Sequence, residues 1–165
     1  MSVNNGPSSG ALAGDSHHLP LRVYYEDTDF SGVVYHASYL RFFERGRTEF
    51  IRALGIDQQA LFRQDGLAFA VRSLTVEFLR PALMDDVVEV VTKVAAMRGP
   101  TLRLEQNLSR GAEILTTAQV LVICIKAGRP QRLPPVLLAA VAAHREADGI
   151  SGPLREGGEG GMTKS

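Results

Sequence analysis

A polar loop passes directly into a long helical pattern within residues 25–54, which read YEDTDFSGVVYHASYLRFFERGRTEFIRAL. This stretch decides the fold, because its second half repeats apolar residues at helical spacing: Tyr39, Leu40, Phe42, Phe43, Phe50, Ile51 and Leu54. Ser38 is a typical N-cap and Gly55 is a typical C-terminal stop. We therefore predict a helix from Ser38 to about Leu54, with one apolar face buried and its charges on the other faces.

The residues after this helix change to the alternating pattern of β-strands. Four segments are predicted as strands: residues 73–78, 87–94, 102–108 and 114–125. The last of them is mostly apolar and carries no charge, as expected for a central strand covered on both faces. Gly99-Pro100 and Arg110-Gly111 are turn signals between neighbouring strands. Such short connections predict antiparallel pairing.

The order of elements predicts the fold class. A short strand, residues 21–26, precedes the loop, and a short apolar helix, residues 136–146, follows the sheet. One long helix must cover one face of an antiparallel sheet. We predict an α+β fold, a curved antiparallel β-sheet wrapped around a long central α-helix. The other face of the sheet still needs cover, so we expect a homo-oligomer.

The composition excludes several classes of protein. The chain has 165 residues, of which 45% are hydrophobic and 22% charged, so it can bury the core of one domain. Its 18 basic and 18 acidic residues cancel, which leaves no bulk field to attract nucleic acid or an anionic membrane. One cysteine excludes an intramolecular disulfide and fits a reducing compartment. No secretory signal or membrane-spanning stretch is apparent, and we expect a cytoplasmic protein.

The two ends of the chain differ from its middle. Residues 1–19 and 149–165 are rich in glycine and polar residues and poor in apolar ones. Such segments bury too little surface to offset the entropy of an ordered chain. We predict two disordered tails flanking one domain at residues 20–148.

The loop before the helix carries the candidate chemistry, with Asp27, Asp29, Gly32 and His36 close together in the sequence. A helix N-terminus offers free N–H groups and a partial positive charge, which suits an oxygen that gains negative charge during a reaction. A carboxylate a few residues upstream either attacks the substrate or deprotonates an attacking water. The alternative is structural, with both aspartates forming turns or caps. The spacing of these residues matches no metal site, and no metal is expected.

The segment from Tyr25 to Ala53 resembles the active-site segment of hot-dog-fold thioesterases of the 4-hydroxybenzoyl-CoA thioesterase type. Tyr-Glu-Asp-Thr-Asp-x-x-Gly-Val-Val-Tyr-His-x-x-Tyr, followed by Phe-Phe-Glu-Arg-x-Arg-Thr-Glu, is most similar to the Tol–Pal-system-associated acyl-CoA thioesterases. Residues 76–82, VEFLRPA, resemble the strand that enters that family's sheet. The resemblance covers most of residues 20–145. It implies hydrolysis of acyl-CoA thioesters without metal or cofactor, by subunits that pair and often form tetramers.

The resemblance also implies roles for individual residues. Asp29 corresponds to the catalytic carboxylate, acting as nucleophile or general base, and His36 to the residue whose backbone N–H polarises the thioester carbonyl. The imidazole of His36 orients water or substrate, or protonates the leaving sulfur. Gly32, Tyr35 and Tyr39 are expected to line the substrate site, and a plain core position suits Tyr39 equally well.

Two charged residues complete the predicted site. Arg98 falls near the basic cluster that binds CoA phosphates in the benzoyl-type enzymes, and an exposed hairpin arginine is the alternative. Glu44 lies on the central helix, where a second hot-dog lineage places its carboxylate. With Asp29 in the loop position, we expect Glu44 to be structural or to position water.

Two other functions compete with hydrolysis: an acyl-thioester dehydratase or hydratase, and a non-catalytic protein that binds acyl-CoA or an acyl carrier protein. The loop from Asp29 to Gly32 resembles the hydrolases. The preferred prediction is therefore a thioesterase for short-chain aliphatic acyl-CoA, with acyl carrier protein as a second partner and with neither nucleic-acid binding nor membrane insertion.

Overall fold

The computed structural model describes residues 8–147 together with residues 149, 152 and 154. Within these residues, the strands and α-helices follow one another as β1 (Ala11–Ala13), β2 (Ser16–Arg22), α1 (His36–Ala53), α2 (Gln58–Asp65), β3 (Leu67–Phe78), β4 (Val87–Arg98), β5 (Thr101–Arg110), β6 (Glu113–Lys126), β7 (Arg129–Pro130) and α3 (Pro135–Ala147). A short 3₁₀ helix, Tyr25–Asp27, lies between β2 and α1.

One antiparallel sheet holds these strands in the order β1-β2-β4-β5-β6-β3, with β7 paired to the end of β6. Hairpins join β4 to β5 and β5 to β6, as the turn signals predicted. Strand β3 forms the far edge of the sheet because it pairs along its length with β6 and not with β2, the strand that precedes it in the chain. The predicted α+β fold is confirmed.

Helix α1 covers one face of the sheet and builds the core. Phe42, Phe43 and Phe50 are its largest buried side chains, each 1% exposed, and they share one cluster with residues of β4, β5 and β6. Gly46 allows the close approach, since a Cβ there would lie 2.5 Å from Cγ1 of Val90. The predicted apolar face of the helix is therefore the one that packs on the strands.

A buried hydrogen-bond network ties α1 to the sheet. Nε2 of Gln106 donates to the carbonyl oxygen of Phe43 and to Oγ1 of Thr92, at 2.9 Å in both cases. Oε1 of Gln106 accepts from Nη1 of Arg47 at 3.0 Å. Satisfied polar groups of this kind add directional contacts to an otherwise apolar interface.

The N-terminal part of the domain differs from the prediction. The predicted tail at residues 1–19 contains β1 and part of β2, and the strand expected at residues 21–26 ends at Arg22. The sequence signal is weak because a polar side chain takes an inward position: His17 is fully buried, with Nε2 2.8 Å from the carbonyl oxygen of Ser9. Residues 1–7 of that predicted tail lie outside the described residues, as does most of the predicted tail at 149–165.

The helices differ from the prediction at one N-terminus and by one additional helix. Helix α1 begins at His36, so Ser38 is not its N-cap but a buried residue of the first turn. Tyr35 takes the cap position without a side-chain hydrogen bond, and the predicted stop at Gly55 is confirmed by its φ of +81°. Helix α2 was not predicted, although the side chain of Asp57 caps it by accepting from Ala60 N–H at 3.0 Å.

Strand β6 is interior to the sheet, between β5 and β3. Its residues alternate between buried and partly exposed, so that only one of its faces is covered within the chain. The prediction that both faces of β6 are covered is therefore not met by a single chain.

Among the described residues, no helix combines the length and the apolar character that a membrane span needs.

Candidate active site

The segment between the 3₁₀ helix and α1 is a tight hairpin that presents Asp29 at its tip. Thr28 and Val34 form an antiparallel bridge, and Asp29 N–H donates to the carbonyl oxygen of Val33 at 2.8 Å. Gly32 N–H donates back to the carbonyl oxygen of Asp29 at 3.1 Å, which closes the turn. Gly32 has a φ of +85°, a conformation that glycine adopts without strain. This conformational need explains the glycine of the motif.

The hairpin is fastened to the start of the sheet. Val34 N–H donates to the carbonyl oxygen of Ala82 at 2.9 Å, and Val33 bridges Leu83. Tyr35 N–H donates to the carbonyl oxygen of Asp27 at 2.9 Å, immediately before α1 begins. The carboxylate of the loop and the first turn of the helix are thus held to one another by main-chain bonds.

The two aspartates of the loop have different environments. Asp27 is buried, and its Oδ2 accepts from Tyr24 N–H at 2.9 Å, which stabilises the 3₁₀ turn. Asp29 is exposed at the tip of the hairpin. The alternative role, in which an aspartate only stabilises a turn, therefore applies to Asp27. Asp29 remains accessible to a substrate.

The carboxylate of Asp29 is held on one oxygen. Its Oδ1 accepts from the hydroxyl of Ser31 at 2.6 Å and from Ser31 N–H at 2.8 Å. The Ser31 hydroxyl, together with neighbouring backbone N–H groups, lowers the pKa of Asp29 below its usual range. Asp29 is consequently a carboxylate at neutral pH.

His36 is the first residue of α1, and its backbone N–H has no partner among the described residues. The N–H groups of a first helical turn point outward and carry the positive end of the helix dipole. The imidazole is exposed and lies against Tyr35, with ring centroids 4.4 Å apart. A carboxylate and an anion-stabilising N–H thus flank one short hairpin, an arrangement suited to attack on a carbonyl group.

The predicted substrate-lining residues separate into two groups. Gly32 and the half-exposed Tyr35 belong to the hairpin and its junction with α1. Tyr39 is buried instead, 4% exposed, and its hydroxyl oxygen accepts from Ala82 N–H at 3.0 Å. Burial raises the pKa of Tyr39. Its placement favours the alternative in which Tyr39 is a core residue, whose hydroxyl holds the backbone at Ala82, next to the hairpin.

Arg98 lies at the far end of the sheet from Asp29. It ends β4 at the turn into β5, whereas the hairpin contacts Ala82 and Leu83, just before β4 begins. A strand of 12 residues separates the two ends by roughly 35 Å at about 3.3 Å per residue. A single chain therefore does not bring Arg98 and Asp29 together.

Glu44 lies about two turns along α1 and is exposed. With Arg47 it borders a cleft of about 220 Å³ between α1 and the sheet, whose apolar lining includes Phe69, Leu102 and Val122. Burial lowers the pKa of Arg47, and the charge of Glu44 opposes that shift. Glu44 thus interacts with a cation on its own helix and not with the Asp29 loop.

The sequence analysis overlooked Ser31, the residue that holds the carboxylate. The signal was present, because Asp-x-Ser is a typical sequence of turns in which the aspartate side chain accepts from the residue two positions on.

No cluster of three His, Cys, Asp or Glu side chains suited to a metal occurs in the described part of the chain.

Large apolar side chains surround the hairpin and face solvent in the single chain. Tyr25 is 80% exposed and Phe30 is fully exposed, and Tyr24, Leu83 and Met84 are about half exposed. Exposed apolar clusters of this kind typically mark interaction or ligand surfaces. Asp29 thus projects from a surface that is apolar on several sides.

Residues 23–141 match the family model described as the thioesterase-like superfamily. The acyl-CoA thioesterase YbgC of Haemophilus influenzae is 46% identical over 124 residues, which cover 74% of this chain and 91% of that protein. A probable thioesterase from Bartonella henselae is similar in structure, with a TM-score of 0.70 and 42% identity over 72% of this chain and 99% of that one. A 4-hydroxybenzoyl-CoA thioesterase variant, solved with 4-hydroxybenzoyl-CoA, has a TM-score of 0.73 at 16% identity and covers 78% of this chain and 99% of its own. That last likeness shows the fold alone.

Proposed function

The chain belongs to the thioesterase-like superfamily, has the hot-dog fold and is an acyl-CoA thioesterase, and on this premise we propose that Asp29 and the backbone N–H of His36 carry out the hydrolysis. One observation carries the proposal: an exposed carboxylate is hydrogen-bonded into a hairpin that leads directly to α1, where the N–H of His36 has no partner among the described residues. The other aspartate of the loop is occupied in a buried turn.

The chemistry follows from these groups. A thioester carbonyl is weakly stabilised by resonance and has a good leaving thiolate, so it needs less activation than an amide. The N–H of His36 donates to the oxygen that becomes negative as the carbonyl carbon is attacked. The carboxylate of Asp29 either attacks that carbon, giving a mixed anhydride and CoA thiolate, or takes a proton from the attacking water. In the first route, water then cleaves the anhydride and restores Asp29.

Isotope labelling detects the anhydride route when water attacks the aspartyl carbon of the anhydride. Single-turnover hydrolysis in ¹⁸O-water by excess enzyme, followed by mass spectrometry of the peptide that contains Asp29, detects label transferred to its carboxylate. Label in that peptide supports the anhydride. Label found only in the acid product is expected for general-base attack by water and equally for an anhydride that water opens at its acyl carbon, so label in the peptide is the outcome that decides.

The main test is thiol release from a panel of acyl-CoAs, comparing wild type with Asp29→Asn. We expect at least about a hundredfold loss of kcat in the variant, the scale typical of acid–base and nucleophilic groups. Asp65→Asn is the matched control, because Asp65 is an exposed aspartate at the end of α2, away from the hairpin. Full activity of Asp29→Asn would refute the assignment and direct attention to Asp27 or Glu44.

We also propose that the enzyme works as a homo-oligomer in which a second copy covers the apolar surface around the hairpin. Strand β3 supports this, since it forms one edge of the sheet, is 12 residues long and exposes Val71 and Phe78. Long exposed edges of this type are usually covered or paired. Sedimentation equilibrium should give a dimer or a tetramer, and Val71→Lys should weaken the association more than Val136→Lys on the surface of α3. A monomeric wild type would contradict the proposal.

The substrate proposal is a short-chain aliphatic acyl-CoA, with an acyl carrier protein as the alternative donor. The proposal of a short-chain substrate rests on His36 at the start of α1, because a histidine at this position is a feature that the chain shares with the Tol–Pal-associated subgroup. Tyr35 is proposed to contact the acyl group. Arg98 is proposed to bind CoA phosphates for a neighbouring subunit, because its own hairpin lies at the opposite end of the sheet. Arg98→Ala should then raise KM for acyl-CoA and leave kcat for a short acyl-thioester without phosphates unchanged.

A further inference from the structure

The shortest hydrogen bond of the hairpin involves Ser31, which lies outside the predicted catalytic set. The hydroxyl of Ser31 donates to Oδ1 of Asp29 at 2.6 Å, and the N–H of the same residue donates to the same oxygen at 2.8 Å. Both donors come from a turn whose backbone is closed independently, by Gly32 N–H and by the bond from Asp29 N–H to Val33. The side-chain contact is thus an addition to a loop that is already formed by its main chain.

We propose that Ser31 is a positioning residue, which holds Oδ1 of Asp29 and thereby fixes the orientation of the carboxylate toward the substrate. This inference rests on the proposed function, since it assigns the geometry of the same carboxylate. Ser31 touches neither substrate nor reacting atoms in this scheme and acts only through Asp29.

The physical consequence is a restricted side chain. A free aspartate on an exposed turn samples several rotamers, and only a fraction of them direct an oxygen at a bound thioester. Two donors on one oxygen select one orientation before the substrate arrives. Hydrogen bonds to a charged acceptor are the stronger ones in proteins, and here the acceptor lies in the loop that must react.

A second consequence concerns protonation. The Ser31 hydroxyl is the largest cause of the lowered pKa of Asp29. Removing the hydroxyl therefore raises that pKa toward its ordinary value. Because the ionised carboxylate is the active form, activity falls as the pH drops through this pKa. The acidic limb of the kcat/KM profile must therefore move to higher pH in a variant without the hydroxyl.

Ser31→Ala tests the inference, because it removes the hydroxyl bond and keeps the backbone N–H bond. Ser31→Thr retains a hydroxyl and should restore wild-type behaviour. Thr28→Val is the matched control: the Thr28 hydroxyl belongs to the same hairpin and donates to the carbonyl oxygen of Tyr25 at 2.8 Å, not to Asp29. Two readouts apply, the pH dependence of kcat and KM for acyl-CoA, and the ¹³C NMR titration of the Asp29 carboxyl, assigned with Asp29→Asn.

We expect Ser31→Ala to lower kcat by about tenfold with little change in KM, on the scale of one lost hydrogen bond to a charged group. The NMR midpoint of Asp29 should rise together with the acidic limb, and Thr28→Val should move neither. An inactive Asp29→Asn variant combined with an unmoved midpoint and an unchanged kcat in Ser31→Ala would overturn the role of Ser31 alone. Full activity in Asp29→Asn would instead overturn the proposed function, whatever the titration of Ser31→Ala.

Discussion

Replacing His36 by proline removes one N–H donor from the first turn of α1 and is otherwise compatible with the local backbone. Proline is favoured at the first position of a helix, where the missing N–H has no partner within the helix. The residue before a proline must be extended, and Tyr35 already has φ −64° and ψ 135°. The substitution therefore separates the chemical role of the N–H from the stability of the helix.

The magnitude follows from the proposed role of this N–H. Loss of one preorganised donor to a developing oxyanion typically reduces kcat by about 10² to 10³, or about 3–4 kcal/mol of transition-state stabilisation. His36→Pro also removes the imidazole, so the reference is His36→Ala, which loses the imidazole and keeps the N–H. The difference between the two variants isolates the backbone donor, and the difference between His36→Ala and wild type measures the imidazole.

The assay is thiol release from a short-chain acyl-CoA under saturating substrate, with circular dichroism and thermal unfolding as checks on α1. We expect His36→Pro to be at least about a hundredfold slower than His36→Ala in kcat, with melting temperatures within a few degrees. Equal kcat values in the two folded variants would refute the reasoning, because the N–H would then make no contribution to the transition state.

Three further predictions concern the scaffold. Gly46→Ala should lower the free energy of unfolding by about 1–3 kcal/mol in urea titrations, because the new Cβ would lie 2.5 Å from Val90 Cγ1; a variant as stable as wild type would show that α1 and β4 separate easily. Tyr39→Phe should cost about 1–3 kcal/mol by the same measurement, because Ala82 N–H loses its acceptor, and no loss would mean that water replaces the hydroxyl. Burial lowers the pKa of His17 below its ordinary 6.5, so the unfolded chain binds the proton more readily and stability should fall as the pH drops below about 6.5. His17→Leu should flatten that dependence of the melting temperature between pH 7.5 and 5.5, and an unchanged slope would assign it to other groups.

Local patterns were sufficient for the elements that build the site. The helical spacing of Phe42, Phe43 and Phe50 predicted α1, and the loop chemistry before it predicted the position of Asp29 at the helix entrance. These signals act over a few residues, where side-chain period and turn propensity dominate. The resemblance to thioesterases used the same short segment, and the family relationship confirms it.

Predictions that depended on distant contacts were less accurate. Ser38 has a side chain typical of an N-cap. Helix α1 nevertheless begins two residues earlier, at His36, directly after the hairpin, and Ser38 is buried in its first turn. The segment around His17 lacks an apolar pattern, and it forms a strand because β4 supplies a partner along its length. Pairing and burial of this kind depend on residues far away in the chain, which no local window contains.

The amino-acid sequence by itself determined that a carboxylate and a glycine turn precede a long amphipathic helix and a set of hairpin strands, because each of these features depends on neighbouring residues. The tertiary structure decided which aspartate is buried and which is open, that Tyr39 belongs to the core, and that Arg98 lies at the other end of the sheet from Asp29. The physical reason is range: turns and periods are set within a few residues, whereas exposure and the distance between two side chains are set by how the sheet and α1 pack.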